Sequence, residues 1–210
     1  DPELDLRFST DGSKVMQNSP LYTGNLTFLP GITSLTVQAY NGLKPVGKTT
    51  TTDYNVVKRF EKTPVMSSGE NAKFHRYNLA DFGYLRLKTT LGKDDPWNDK
   101  AVFGEACFLN EDGNKIWLSE LEPVSIEMTY GNLITKSMKS RPFQVNDQVF
   151  EDGIMVSTEA EIVYQVEPGW KNFETWTGIE DASEGHPRFP GTTEFIIEGL
   201  PKGIFDSSGS

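Results

Sequence analysis

Ile32-Thr33-Ser34-Leu35-Thr36-Val37-Gln38-Ala39-Tyr40 alternates in character, with Leu35, Val37 and Ala39 on one side and polar residues between them. A period of two is the mark of a strand with one face buried. Asn41-Gly42 follows at once. That pair accepts the positive φ angles of a two-residue hairpin turn, so Leu43 to Gly47 is expected to fold back on the strand before it.

The same reading extends along the chain. Strands are expected at Gly24 to Leu29, Asp53 to Phe60, Ala72 to Asn78, Phe82 to Thr90 and Ala101 to Leu109. Glu111-Asp112-Gly113-Asn114 then turns into Lys115 to Ser119. Val124 to Tyr130, Leu133 to Lys139, Phe143 to Phe150, Ile154 to Ser157, Glu159 to Val166 and Thr192 to Glu198 continue the pattern. No long stretch carries apolar residues at helical spacing behind a cap. Short connections favour antiparallel pairing. The fold class expected is therefore all-β, an antiparallel β-sandwich of jelly-roll type.

Two segments read as loops: Thr89 to Lys100, and 167–191, which holds Trp170, Phe173 and Trp176. Tyr40-Asn41-Gly42-Leu43 parallels Tyr130-Gly131-Asn132-Leu133, a faint repeat. It suggests two β-sandwich lobes, 1–99 and 100–210, the second with the aromatic loop and a C-terminal arm. The alternative is one large sandwich over 1–210.

Composition narrows the function. Aromatic residues make up 11% of the chain, enough bulk for a packed core. The net charge of −10 disfavours nucleic acid and anionic membranes as partners. No apolar run approaches the roughly 18 residues of a membrane span, so no membrane insertion is expected. Cys107 stands alone, so no intrachain disulfide forms. The opening Asp1-Pro2-Glu3-Leu4-Asp5 carries no targeting signal, and the expected setting is extracellular, on a virion or in an organelle lumen rather than cytosolic. Asn25-Leu26-Thr27 is a sequon inside a presumed strand and receives little weight.

Catalytic groups are sparse. His75 reads as an outward-facing strand residue and His186 as a turn residue, and no nucleophile elbow supplies a serine. No zinc-type ligand spacing occurs. The carboxylates could include a hydrolytic pair about 5–10 Å apart, but no motif selects one. The expectation is no enzyme and no cofactor, with calcium the one open possibility: Asp94, Asp95, Asn98 and Asp99 crowd one oxygen-rich loop. Trp97, Trp170, Phe173 and Trp176 lie beside polar side chains, the combination that stacks on and hydrogen-bonds sugar rings. Trp117, in a strand, reads as core. Leu200, Ile204 and Phe205 would form an apolar arm able to reach a neighbouring subunit.

Two readings follow. The first is a structural protein, a self-assembling homo-oligomeric subunit of a shell, sheath, filament or virion surface, built through sheet edges and the arm. The alternative is a carbohydrate-binding, lectin-like module that presents the loop tryptophans to glycans. A polysaccharide-active enzyme is a distant third.

Overall fold

A computed structural model describes residues 4–92, 99–138, 141–181 and 191–205. The chain is nearly all β, as its alternation predicts. Its described residues fall into two compact units, 4–57 with 200–205, and 58–199.

The first unit holds one sheet in the order β1 (Asp5–Ser9), β2 (Gly31–Asn41), β3 (Lys44–Val56). Asn41 pairs with Lys44, and Gly42 has φ 60°, so the expected hairpin forms. Gly24 to Leu29, expected as a strand, makes no ladder, and Asn25 is exposed. Leu6, Phe8, Leu26, Phe28, Leu35 and Val37 line an open apolar hollow of about 490 Å³.

The second unit is a sandwich. Its early strands are β4 (Lys58–Lys62), β5 (Met66–Ser67), β6 (Lys73–Asn78), β7 (Tyr84–Leu91) and β8 (Lys100–Leu109). Next come β9 (Lys115–Trp117), β10 (Ser125–Met128), β11 (Ile134–Thr135), β12 (Phe143–Val145) and β13 (Gln148–Phe150). The last four are β14 (Gly153–Ser157), β15 (Ala160–Gln165), β16 (Asn172–Ile179) and β17 (Thr192–Leu200). One sheet runs β10-β15-β7-β17-β4, with β5 beside β17. The other runs β11-β14-β8-β16-β6, with β9 beside β8. The boundary between units falls at Val57, not near Asp99. β7 pairs with β15 and β8 with both β14 and β16, so strands on either side of residue 99 share sheets.

The core lies between these sheets. Leu85, Leu87, Ile162, Tyr164, Phe195 and Ile197 come from the first sheet, and Phe103, Phe108, Ile154, Val156 and Phe173 from the second. Phe103 meets Phe195 edge to face at 5.2 Å between centroids.

Phe103 and Phe108 are five residues apart, and strict alternation would put them on opposite faces. A bulge resolves this. Glu174 pairs with Cys107 but Trp176 pairs with Gly104, so β8 spends one extra residue there. Glu105 takes it up at φ 47° and points to solvent. Both phenylalanines then face inward, while Val102, Gly104 and Cys107 all face outward.

That outer face is half covered by the hairpin β12–β13. The sequence reads Phe143 to Phe150 as one strand, but Asn146 and Asp147 adopt positive φ, 42° and 65°, and reverse the chain. The backbone N–H groups of Asn146 and Asp147 donate to the Asp181 carboxylate. Buried Glu180 accepts from Arg141 and from the Gln144 N–H, both at 3.3 Å. Phe143, Val145 and Phe150 form a second core with Val102 and Met155. Glycine makes the approach possible: a Cβ on Gly104 would lie 2.6 Å from the Phe150 ring, and one on Gly178 would lie 2.4 Å from Val145.

The side where β4 meets β6 is closed by polar groups. His75 is 8% exposed, so it turns inward rather than outward as its neighbours suggested. Its Nδ1 lies 3.1 Å from the Tyr77 hydroxyl and its Nε2 2.8 Å from the Thr177 hydroxyl. Tyr77 donates to Glu61 at 3.0 Å. Burial holds the His75 pKa below its ordinary value, against the pull of Glu61 and with a smaller push from Lys73.

Two predictions follow from this packing. Gly104→Ala should destabilise the protein by about 1–3 kcal/mol through overpacking against Phe150; a urea midpoint equal to wild type would show that the ring is not seated there. The depressed His75 pKa means the unfolded state takes the proton first, so stability is full above about pH 6.5 and declines as pH falls below it. The urea midpoint should therefore drop between pH 7.5 and 5.5, and drop less in His75→Gln; an equal drop would assign the loss to other groups.

Candidate functional site

The expected aromatic loop contains a central strand. Residues Asn172 to Ile179 form β16, between β8 and β6. The reason is visible in the burial: Phe173, Thr175, Thr177 and Ile179 face inward and are buried. Phe173 is fully buried, with its ring 6.1 Å from that of Phe108. Trp170 sits in the turn before β16, partly buried against the main core. Phe173 therefore presents no open phenyl face.

Trp176 takes the opposite side of β16, the outer face of the sheet. Residues paired directly across antiparallel strands share a face. Trp117, Cys107, Glu174 and Arg76 pair in series across β9, β8, β16 and β6 and so form one row on that face. The next row carries Phe74, Trp176 and Gly104, and the row on the other side carries Lys115, Leu109, Asn172 and Asn78. Trp117, expected in the core, instead ends a row on this outer surface and is partly exposed.

The geometry of these rows is specific. Arg76 Nη1 lies 3.1 Å from Glu174 Oε1, and Lys115 Nζ lies 3.7 Å from Glu174 Oε2. Lys115 Nζ also stands 5.5 Å from the centroid of the Trp117 ring, a cation–π distance. Phe74 and Trp176 pack at 5.2 Å, and Trp176 meets Phe150 of the covering hairpin at 6.1 Å. Phe74 remains 49% exposed. One end of this face is thus roofed by the hairpin, and the other offers aromatic rings, a carboxylate and two cations. Cys107 sits inside the row, fully buried, and burial pushes its thiol pKa up to about 11, opposed by Lys115 and reinforced by Glu174.

The outer face of the partner sheet is chemically different. Arg86 bonds Glu198 at 2.6 Å and Glu161 at 3.2 Å, Lys88 bonds Glu161 at 2.8 Å, and Arg59 and Lys62 hold Glu198 and Glu194 at 3.3 and 3.2 Å. These residues form a ladder of ion pairs with no aromatic ring among them.

The other sequence candidates are placed as follows. Asp94, Asp95, Trp97, Asn98 and His186 lie outside the described residues. Asp99 is 1% exposed; its carboxylate accepts the Thr158 hydroxyl at 2.9 Å and the Thr192 N–H at 2.6 Å. Among the described residues no group of three or more His, Cys, Asp or Glu is placed to hold a metal ion. Leu200 is buried as the last residue of β17, and Ile204 and Phe205 are half-buried in the turn after it. Sequence reading passed over Phe74, Arg76, Lys115 and Glu174. Phe74/Arg76 and Glu174/Trp176 are both i, i+2 pairs, a signal that becomes readable once 172–179 is taken as a strand.

Residues 114–208 match the NPCBM/NEW2 domain family, a carbohydrate-binding-like β module. The match spans less than half of the chain and includes β9 to β17; β4 to β8, which complete both sheets, precede it. Lys115, Trp117, Glu174 and Trp176 lie inside it, and Phe74 and Arg76 outside. No curated protein matches the chain. The match agrees with the binding-module reading and lends nothing to a shell or filament subunit.

Burial of Cys107 has a direct consequence. In the native protein at pH 8 the thiol should not react with a water-soluble aromatic disulfide, and one equivalent should react after denaturation. Stoichiometric reaction of the native protein would mean that the row above Cys107 is open.

Proposed function

We propose that this protein is a non-catalytic carbohydrate-binding module, and that the glycan lies on the outer face of the sheet β11-β14-β8-β16-β6. The observation that carries the reading is the contrast between the two outer faces. One is a closed ladder of ion pairs. The other sets Trp117, Phe74 and Trp176 around Glu174, Arg76 and Lys115. Sugar rings bury their C–H faces on aromatic rings and satisfy their hydroxyls with charged and amide groups. Trp117 and Glu174 are two strand spacings apart, about 10 Å, so the face suits more than one sugar residue. The similarity of residues 114–208 to a carbohydrate-binding-like module supports the same reading.

The test is a glycan array followed by titration of the best binders, read by tryptophan fluorescence. Trp117→Ala and Phe74→Ala should each weaken binding about tenfold or more, equivalent to about 1.4 kcal/mol, with unfolding midpoints near wild type. Silence across a broad array, or affinity unchanged in both variants, would remove this face from consideration.

A further inference from the structure

We infer that the ligand of this face is an anionic glycan, one bearing carboxylate or sulfate groups; the inference rests on the carbohydrate reading of the same surface.

Glu174 is 14% exposed, while Arg76 and Lys115, which flank it, are 57% and 44% exposed. The anion is therefore the buried member of the group and the two cations its exposed members. A ligand approaching from solvent meets positive charge first. One carboxylate also serves two cations, Arg76 in its own row and Lys115 in the next, within a protein of net charge −10.

Donor accounting points the same way. Arginine offers five N–H donors and lysine three. Arg76 reaches Glu174 through Nη1, and Lys115 stands between Glu174 and the Trp117 ring. Such donors are best matched by groups rich in acceptors and negatively charged, because charge-assisted bonds are about twice as strong as neutral ones. The partner sheet shows the alternative outcome: there Arg86 is held by both Glu161 and Glu198, each on a different strand, and is 22% exposed. Glu174 on the ligand face positions the cations rather than quenching them. Trp117 and Phe74 supply the apolar contact that separates a sugar acid from a free anion.

The experiment uses matched pairs. Titration compares an oligogalacturonide with its methyl ester, and dextran sulfate with dextran, for the full chain and for the double variant Arg76→Gln/Lys115→Gln. The expected result is at least tenfold tighter binding of one charged member than of its neutral partner, with that preference lost in the double variant while the unfolding midpoint is kept. The carboxylate and sulfate arms distinguish which acid the face prefers. Equal binding of charged and neutral members would overturn the inference and leave the carbohydrate reading standing. Charged-ligand binding that survives the double substitution would also overturn it, by placing the attraction elsewhere. No binding of any member, together with a silent array, would remove both.

Discussion

The organisation of the sandwich depends on one strand being buried on both faces. β8 contributes Phe103 and Phe108 to the inter-sheet core, and Val102, Gly104 and Cys107 to the opposite surface. A strictly alternating strand cannot do this with residues at those positions. The extra residue at Glu105 changes the phase of the strand halfway along. On one side of the bulge the outer surface is glycine and valine, low enough to seat a hairpin. On the other it is the row that ends in Trp117 and Arg76. The division between roofed and open surface is thus set by a single backbone irregularity.

The covering hairpin depends on that same surface. Phe150 rests where Gly104 has no side chain, and Val145 where Gly178 has none. Its turn is held from β16, since Glu180 and Asp181 follow directly after that strand and accept its backbone N–H groups. β16 therefore has three roles. Phe173 fills the core, Glu174 and Trp176 form the open face, and the residues after Ile179 anchor the roof. A strand with alternating duties of this kind carries neither a clean amphipathic pattern nor an apolar run.

That is why β16 was hidden in the sequence while other strands were plain. β2 has a polar and an apolar side and ends in Asn-Gly, so local chemistry announces it. β8 is apolar on either side of Gly104-Glu105, and β17 centres on Phe195-Ile196-Ile197. β16 mixes tryptophan, threonine, glutamate and glycine, follows Pro168-Gly169 and precedes a polar stretch, so it resembles a loop. His75 misled for a related reason: its neighbours Arg76 and Lys73 are charged, yet its own ring is satisfied by Tyr77 and Thr177 across a sheet edge, a partnership 102 residues long in sequence for Thr177. The unit boundary was illegible because it is written in long-range pairings, β7 with β15 and β8 with β14 and β16, not in composition. Of the aromatic candidates, Trp176 reaches the outer face of the sheet, at the border of the hairpin core, and its neighbours there come from three other strands.

The order of the strands also bears on how this protein is to be cut. The family match begins at residue 114, after β7 and β8. Those are the middle strands of the two five-stranded paths. A fragment trimmed to the match would keep β14, β15, β16 and β17 and lose the middle strands they pair with, along with β4 and β6. It would expose raw ladder edges where the native sheets are continuous, the condition that drives chains to aggregate. Similarity along the sequence and integrity in space have different limits here, and expression boundaries belong with the second, at Lys58 and beyond β17.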